Sequence, residues 1–162
     1  MKMLMLMFPA LLAVPIHAQT TGERYSGHGY AYYAVGGFPQ GSDVFNGLGA
    51  GGERLLWKGL GAGAELGYIF PARQFPAGFG LLSVNPSWHY ARNGRSSKLV
   101  PFVTGGWSLA FRQGSQNLGN FGGGVTWWFR DHLGLRLEVR DHRCAGCGDF
   151  DLVMFRAALS FR

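Results

Sequence analysis

Arg136, Glu138 and Arg140 stand two residues apart within Leu133–Asp141, LGLRLEVRD. On an extended backbone, residues two apart share a face and successive residues alternate between faces. Leu133, Leu135, Leu137 and Val139 therefore take one face of this stretch, and Gly134, Arg136, Glu138 and Arg140 the other. A base–acid–base row at strand spacing is suited to ion pairing. A helix would scatter the two sets around its circumference. Two further patterns could carry chemistry. Cys144-Ala145-Gly146-Cys147 is a Cys-x-x-Cys, and Asn85-Pro86-Ser87-Trp88-His89 places a serine and a histidine on one strand face with Asn85.

Each pattern has more than one reading. For Cys144 and Cys147 the first is a local disulfide, because disulfides persist in exported proteins. A metal site would need further ligands, for which His142, Asp141 and Asp149 are near in sequence. Haem attachment is excluded by Gly148 after the second cysteine, and a thioredoxin-like role lacks its βαβ context. Ser87, His89 and an acid could form a hydrolytic set on a barrel wall, as in outer-membrane lipid A deacylases. No acid is fixed by the spacing, however, and a hydrogen-bonded lumen histidine is the simpler reading of His89. His28, His132 and His142 read as turn or strand-end residues. The glycine repeats are not phosphate loops, because neither a helix nor a Gly-Lys-Ser/Thr follows them. No cofactor and no metal are expected.

Elements able to position these residues recur along the chain. Alternating stretches run over Gly29–Gly37, Val44–Leu56, Leu60–Phe70, Phe79–Tyr90, Lys98–Phe111, Gly119–Arg130, Leu133–Asp141 and Phe150–Arg162. That is eight strands in a meander. The first does not declare its inner face, since Tyr30 and Tyr32 oppose Tyr33 and Val35; Pro86 weakens the fourth by removing a ladder donor. The joins at Trp57–Gly59 and Arg130–His132 are short, while 38–43, 71–78, 112–118 and 141–149 are longer. The 91–97 turn, built on Asn93-Gly94, is longer than the other short joins.

The composition agrees. Among 162 residues, 27 are glycine, 13 Phe, 6 Tyr and 5 Trp, and only 15% are charged, against roughly 25% in an ordinary soluble domain. The net charge of +6 is not gathered into one basic block, so no nucleic-acid partner is expected. Met1-Lys2, the apolar run Met3–Val14 and a small residue at Ala18 have the layout of a cleaved secretory signal, 1–18, leaving 19–162 as one domain. The apolar run is shorter than the roughly 20 residues of a membrane-spanning helix. If the exported chain crosses a membrane, it does so as a closed barrel.

Two ways of turning the faces exist. With the apolar faces inward, the chain is a soluble exported barrel of lipocalin type with a hydrophobic ligand. With them outward, it is an eight-stranded antiparallel up-and-down transmembrane β-barrel. Glycine then lines a lumen only just wide enough for side chains. Glu53, Glu65, Arg136, Glu138, Arg140 and Arg156 lie inside and must pair, because an unpaired buried charge is costly. Trp57, Trp88, Tyr90, Trp127, Phe129 and Phe161 sit near strand ends, as in the aromatic girdles of membrane barrels. The second arrangement uses the glycine and the aromatics better.

The chain resembles the small outer-membrane β-barrel family, the OmpA/OmpX-like eight-strand domains. The resemblance rests on Gly47–Gly52, Gly61–Gly67 and Gly122–Gly124, Pro-Phe-Val-Thr-Gly-Gly at 101–106, Leu-Arg-Leu-Glu-Val-Arg-Asp at 135–141 and Phe-Arg-Ala-Ala-Leu-Ser-Phe at 155–161. It implies a monomer in the outer membrane, with outer-membrane lipid as its surroundings and a structural, adhesive or loop-mediated binding role without catalysis. The family's last strand commonly ends in an aromatic residue read by the barrel-assembly machinery. Phe161 matches that signal and Arg162 follows it. Arg73, Arg112 and Arg143 fall in the proposed outer loops, within reach of lipopolysaccharide phosphates. Lys58, Arg92, Arg95 and Arg130 place more positive charge in the proposed periplasmic turns, so the charge distribution alone is weak evidence for a lipopolysaccharide-binding function.

Overall fold

The computed structural model describes residues 27–39, 41–90, 98–112, 114–144 and 151–162. The expected signal segment, the Asn93-Gly94 turn and Cys147 lie outside the described residues. Eight strands close into one barrel in sequence order: β1 (Gly27–Gly37), β2 (Val44–Trp57), β3 (Leu60–Pro71), β4 (Phe79–His89), β5 (Leu99–Phe111), β6 (Ser115–Trp128), β7 (Leu133–Arg143) and β8 (Asp151–Phe161). Every neighbouring pair is antiparallel, and β1 pairs with β8 from Gly29↔Phe161 to Gly37↔Val153, which closes the wall. Closure leaves no strand edge unpaired.

The two faces of the wall are opposite in character. Leu66, Trp88, Val103, Phe121, Leu137, Phe155 and Leu159 are exposed on the outside, while Glu65, Arg136, Glu138, Arg140 and Arg156 are buried within. An outer apolar band over a polar interior is the arrangement of a transmembrane barrel. It excludes the lipocalin-type alternative, whose apolar face would point inward. Trp57, Trp88, Tyr90, Trp127, Phe129 and Phe161 are all exposed, at the end of the barrel that holds the last strand's C-terminus.

Local sequence sets the joins. Lys58 and Gly59 both have positive φ (45° and 86°), which gives the two-residue hairpin between β2 and β3 the backbone twist its strands require. The β4–β5 ladder skips Asn85 and Pro86, passing from Val84↔Trp107 to Ser87↔Thr104. The Thr104 hydroxyl donates to the Pro86 carbonyl at 3.1 Å across this gap, so the proline is accommodated within the strand.

Some boundaries differ from those the sequence suggests. β6 starts at Ser115, so Ser115–Leu118 belong to the ladder opposite Phe111–Ser108, and the join there is 112–114. The polar side chains of Ser115–Asn117 look like a loop, but the backbone ladder continues irrespective of side-chain polarity. β7 likewise continues to Arg143, and β1 begins at Gly27.

Candidate functional site: the barrel lumen

The alternation of each strand fixes which side chains enter the lumen. On β7, Arg136, Glu138 and Arg140 point inward as one row. β2 and β3 contribute Glu53 and Glu65, and β8 contributes Arg156. The six form one network. Arg136 Nε donates to Glu138 Oε2 at 3.2 Å and its Nη1 to Glu53 Oε2 at 3.3 Å. Arg140 Nε donates to Glu138 Oε1 at 2.6 Å and its Nη1 to Glu65 Oε1 at 2.9 Å. Arg156 grips Glu65 with both terminal nitrogens, at 3.1 and 2.9 Å, and lies 3.5 Å from Glu138. Each acid meets at least one guanidinium, so the charges balance where solvent cannot screen them.

Aromatic rings fill the remaining width. Tyr30 donates to Glu65 Oε2 at 2.9 Å, and the Arg156 guanidinium stacks 3.8 Å from the Tyr32 ring centre. These contacts assign the inner face of β1 to Tyr30 and Tyr32, leaving Tyr33 and Val35 outside. Gly49 and Gly67 make room for the Tyr32 hydroxyl; a Cβ at either would collide with it. Arg136 lies 3.7 Å from the Phe102 ring centre.

Toward the end that carries the β2–β3 hairpin, Glu53 gathers a second set. The Ser87 hydroxyl donates to Glu53 Oε1, and His89 Nε2 lies 2.5 Å from the same oxygen. His28 Nε2 is 3.9 Å from Glu53 Oε2 and 3.3 Å from Arg136 Nη1. Ser87, His89 and an acid do meet here, but the carboxylate lies between hydroxyl and imidazole. A nucleophilic serine instead needs the imidazole on its own hydroxyl, with the acid behind the ring. This cluster is therefore built as a hydrogen-bonded clasp.

Toward the opposite end the lumen turns neutral and then apolar. Ser83 and Ser108 share a hydrogen bond of 2.8 Å, and Asn120 donates to Ser108 at 2.8 Å. His142 Nδ1 lies 3.4 Å from the Ser108 hydroxyl. Beyond them Ala34, Ile69, Leu81, Leu118, Leu152 and Met154 pack together with Cys144. Cys144 is disulfide-bonded, and its Sγ accepts from Gln116 Nε2 at 3.0 Å. Among the described residues no group of three or more potential ligands is arranged to hold a metal ion.

His28 and His142 are strand-end residues, each one position inside the end of β1 or β7, and their side chains are buried in the lumen, while His132 lies exposed in a turn. The signal for both was parity. His142 is two residues beyond Arg140, and His28 two before Tyr30, so each continues an inner face past the strand boundary drawn from the sequence. Phe161 ends β8 with its ring outward over Gly29, where a Cβ would strike it.

No family model and no curated protein matches this sequence. Solved structures do share its fold. The N-terminal β-barrel domain of Pseudomonas aeruginosa OprF is 13% identical with a TM-score of 0.60, covering 82% of this chain and 96% of that one. Ail, the attachment invasion locus protein of Yersinia pestis, is 11% identical with a TM-score of 0.58, covering 84% and 97%. The outer membrane enzyme PagL is 17% identical with a TM-score of 0.57, covering 82% and 99%. The chain has the fold of the small eight-stranded outer-membrane β-barrels.

Proposed function

We propose that this chain is a monomeric outer-membrane barrel that acts through its outer rim and loops, in a structural, adhesive or binding role, without catalysis. Residues 1–18 direct export, and Phe161 serves as the assembly signal. The observation that supports this most is the pairing of an exposed apolar outer face with a lumen filled by Glu53, Glu65, Arg136, Glu138, Arg140 and Arg156. A filled lumen leaves the rim and loops as the surfaces free to meet other molecules. The Ser87–Glu53–His89 order favours a structural clasp over the hydrolytic reading, although one protein of this fold, PagL, is an enzyme. Ail, also of this fold, is named for attachment. The test is a gel of the outer-membrane fraction from expressing cells, with and without boiling. A mobility shift in that fraction is expected, because a folded barrel resists detergent. Recovery in the soluble periplasm without a shift would overturn the reading.

A further inference from the structure

The charges at the outer rim are unevenly matched. Arg143 is neutralised by Asp141 at 2.7 Å and Asp151 at 3.6 Å. Arg73 and Arg112 stand in a different setting. From Leu66 to Arg130 the sequence contains no Asp or Glu, so the strands from β4 to β6 and the loops beside them offer these arginines no acidic partner. Both are exposed, and to the described residues Arg73 forms no ion pair or side-chain hydrogen bond. Arg112 Nη2 donates to the Pro76 carbonyl at 2.7 Å, reaching past the top of β4 to the loop that carries Arg73. One guanidinium nitrogen is used there and others remain as donors.

The same loop presents apolar surface. Its short 3-10 helix, Phe75–Ala77, lies against the outer wall, with Phe75 ring centres 4.7 Å from Phe70 and 5.1 Å from Tyr68. The Tyr68 hydroxyl holds it by donating to the Phe75 carbonyl at 2.9 Å. Phe75 remains 56% exposed and Phe111, lying over Gly80, 42%. Guanidinium groups that have no acidic partner among the described residues, at a rim with aromatic rings on the wall beside them, match a lipid whose phosphates sit above its acyl chains. Arginine binds phosphate by paired, charge-assisted hydrogen bonds.

We propose that this rim binds the phosphate-bearing lipid of the outer leaflet, with Arg73 and Arg112 on the phosphates and Phe75 and Phe111 against the acyl chains. The inference rests on the outer-membrane reading, which sets this rim in the outer leaflet. The test uses full-length protein purified folded from the membrane fraction in detergent. Bisphosphorylated lipid A and the same lipid stripped of its phosphates are compared by native mass spectrometry. The phosphorylated form is expected to bind about tenfold tighter or more. Arg73→Gln and Arg112→Gln should each erode that preference and together remove it, while Arg143→Gln preserves it. Among the described residues Arg73 forms no ion pair or side-chain hydrogen bond, so its replacement removes none of the bonds that hold the barrel. Equal binding of the two lipids, or a preference that survives the double variant, would overturn the rim site. If the protein shows no heat-dependent gel shift, the barrel reading itself fails; a normal shift without lipid preference removes the rim site alone.

Discussion

Glu65 is the residue on which the lumen's charge balance turns. It accepts from Arg140, from both terminal nitrogens of Arg156 and from Tyr30. Replacing it by alanine leaves Arg156 with Glu138 alone, in a space where water cannot compensate. Breaking a buried ion pair from one side costs about 3–5 kcal/mol, and Glu65→Ala is expected to lose about that much in urea unfolding of the barrel in lipid vesicles. Tyr30→Phe removes one neutral donor and should cost about 1 kcal/mol. If the two variants unfold at the same urea concentration, the network does not carry the stability assigned to it. At this scale the sequence was informative for some residues and silent for others. Arg136, Glu138 and Arg140 are legible because charge alternates with leucine and valine around them. Tyr30 and Tyr32 are not, because tyrosine suits a lumen and a lipid boundary equally, and only the partners Glu65 and Arg156 decide between them. Glu53 was legible as an inner residue, but its meeting with Ser87 and His89 depends on register between β2, β3 and β4, which no single stretch encodes.

At the scale of elements, the strands depend on how closely the backbones can approach. A Cβ on Gly124 would run into the carbonyl oxygen of Leu137 on the facing strand and close against Glu138 Cα. Neither is the end of a flexible side chain, so β6 and β7 would have to separate. Overpacking of this kind costs about 1–3 kcal/mol, and Gly124→Ala should lower the fraction of heat-shifted, folded protein. Gly52 is the matched control: a Cβ there meets only the His28 carbonyl oxygen, at 3.6 Å. Gly52→Ala should fold as well as the parent, or slightly better, since alanine loses less chain entropy than glycine. Equal yields from both variants would contradict this account. The element pattern itself was readable because period-2 alternation repeats eight times. Its boundaries were less so, because ladder hydrogen bonds continue where side chains change character. Ser115–Asn117 pair fully although they are polar, and Pro86 stays within β4 because the ladder opens around it.

For the whole molecule, the distribution of polarity was legible throughout, since the Gly, Glu and Arg faces can only be reconciled as one interior. The layering along the barrel axis was not. It comes from stacking eight strands in register, which sets the Glu53 clasp near one end, the ion-pair network in the middle and the apolar cluster of Ile69, Leu81, Leu118, Leu152 and Met154 near the other. That layering bears on transport. An ion entering from the clasp end meets a network in which each acid already holds a guanidinium. Beyond it the path runs into packed hydrocarbon, where a lone charge loses its hydration without replacement. Rearranging the ion pairs would not open the passage, because the apolar layer closes it independently. The folded protein is therefore expected to give no conductance steps in a planar bilayer, and Glu138→Ala, which disturbs the network alone, should give none either. Conductance from Glu138→Ala but not from the parent would mean that the ion pairs are the seal and that the apolar layer is not closed in the membrane.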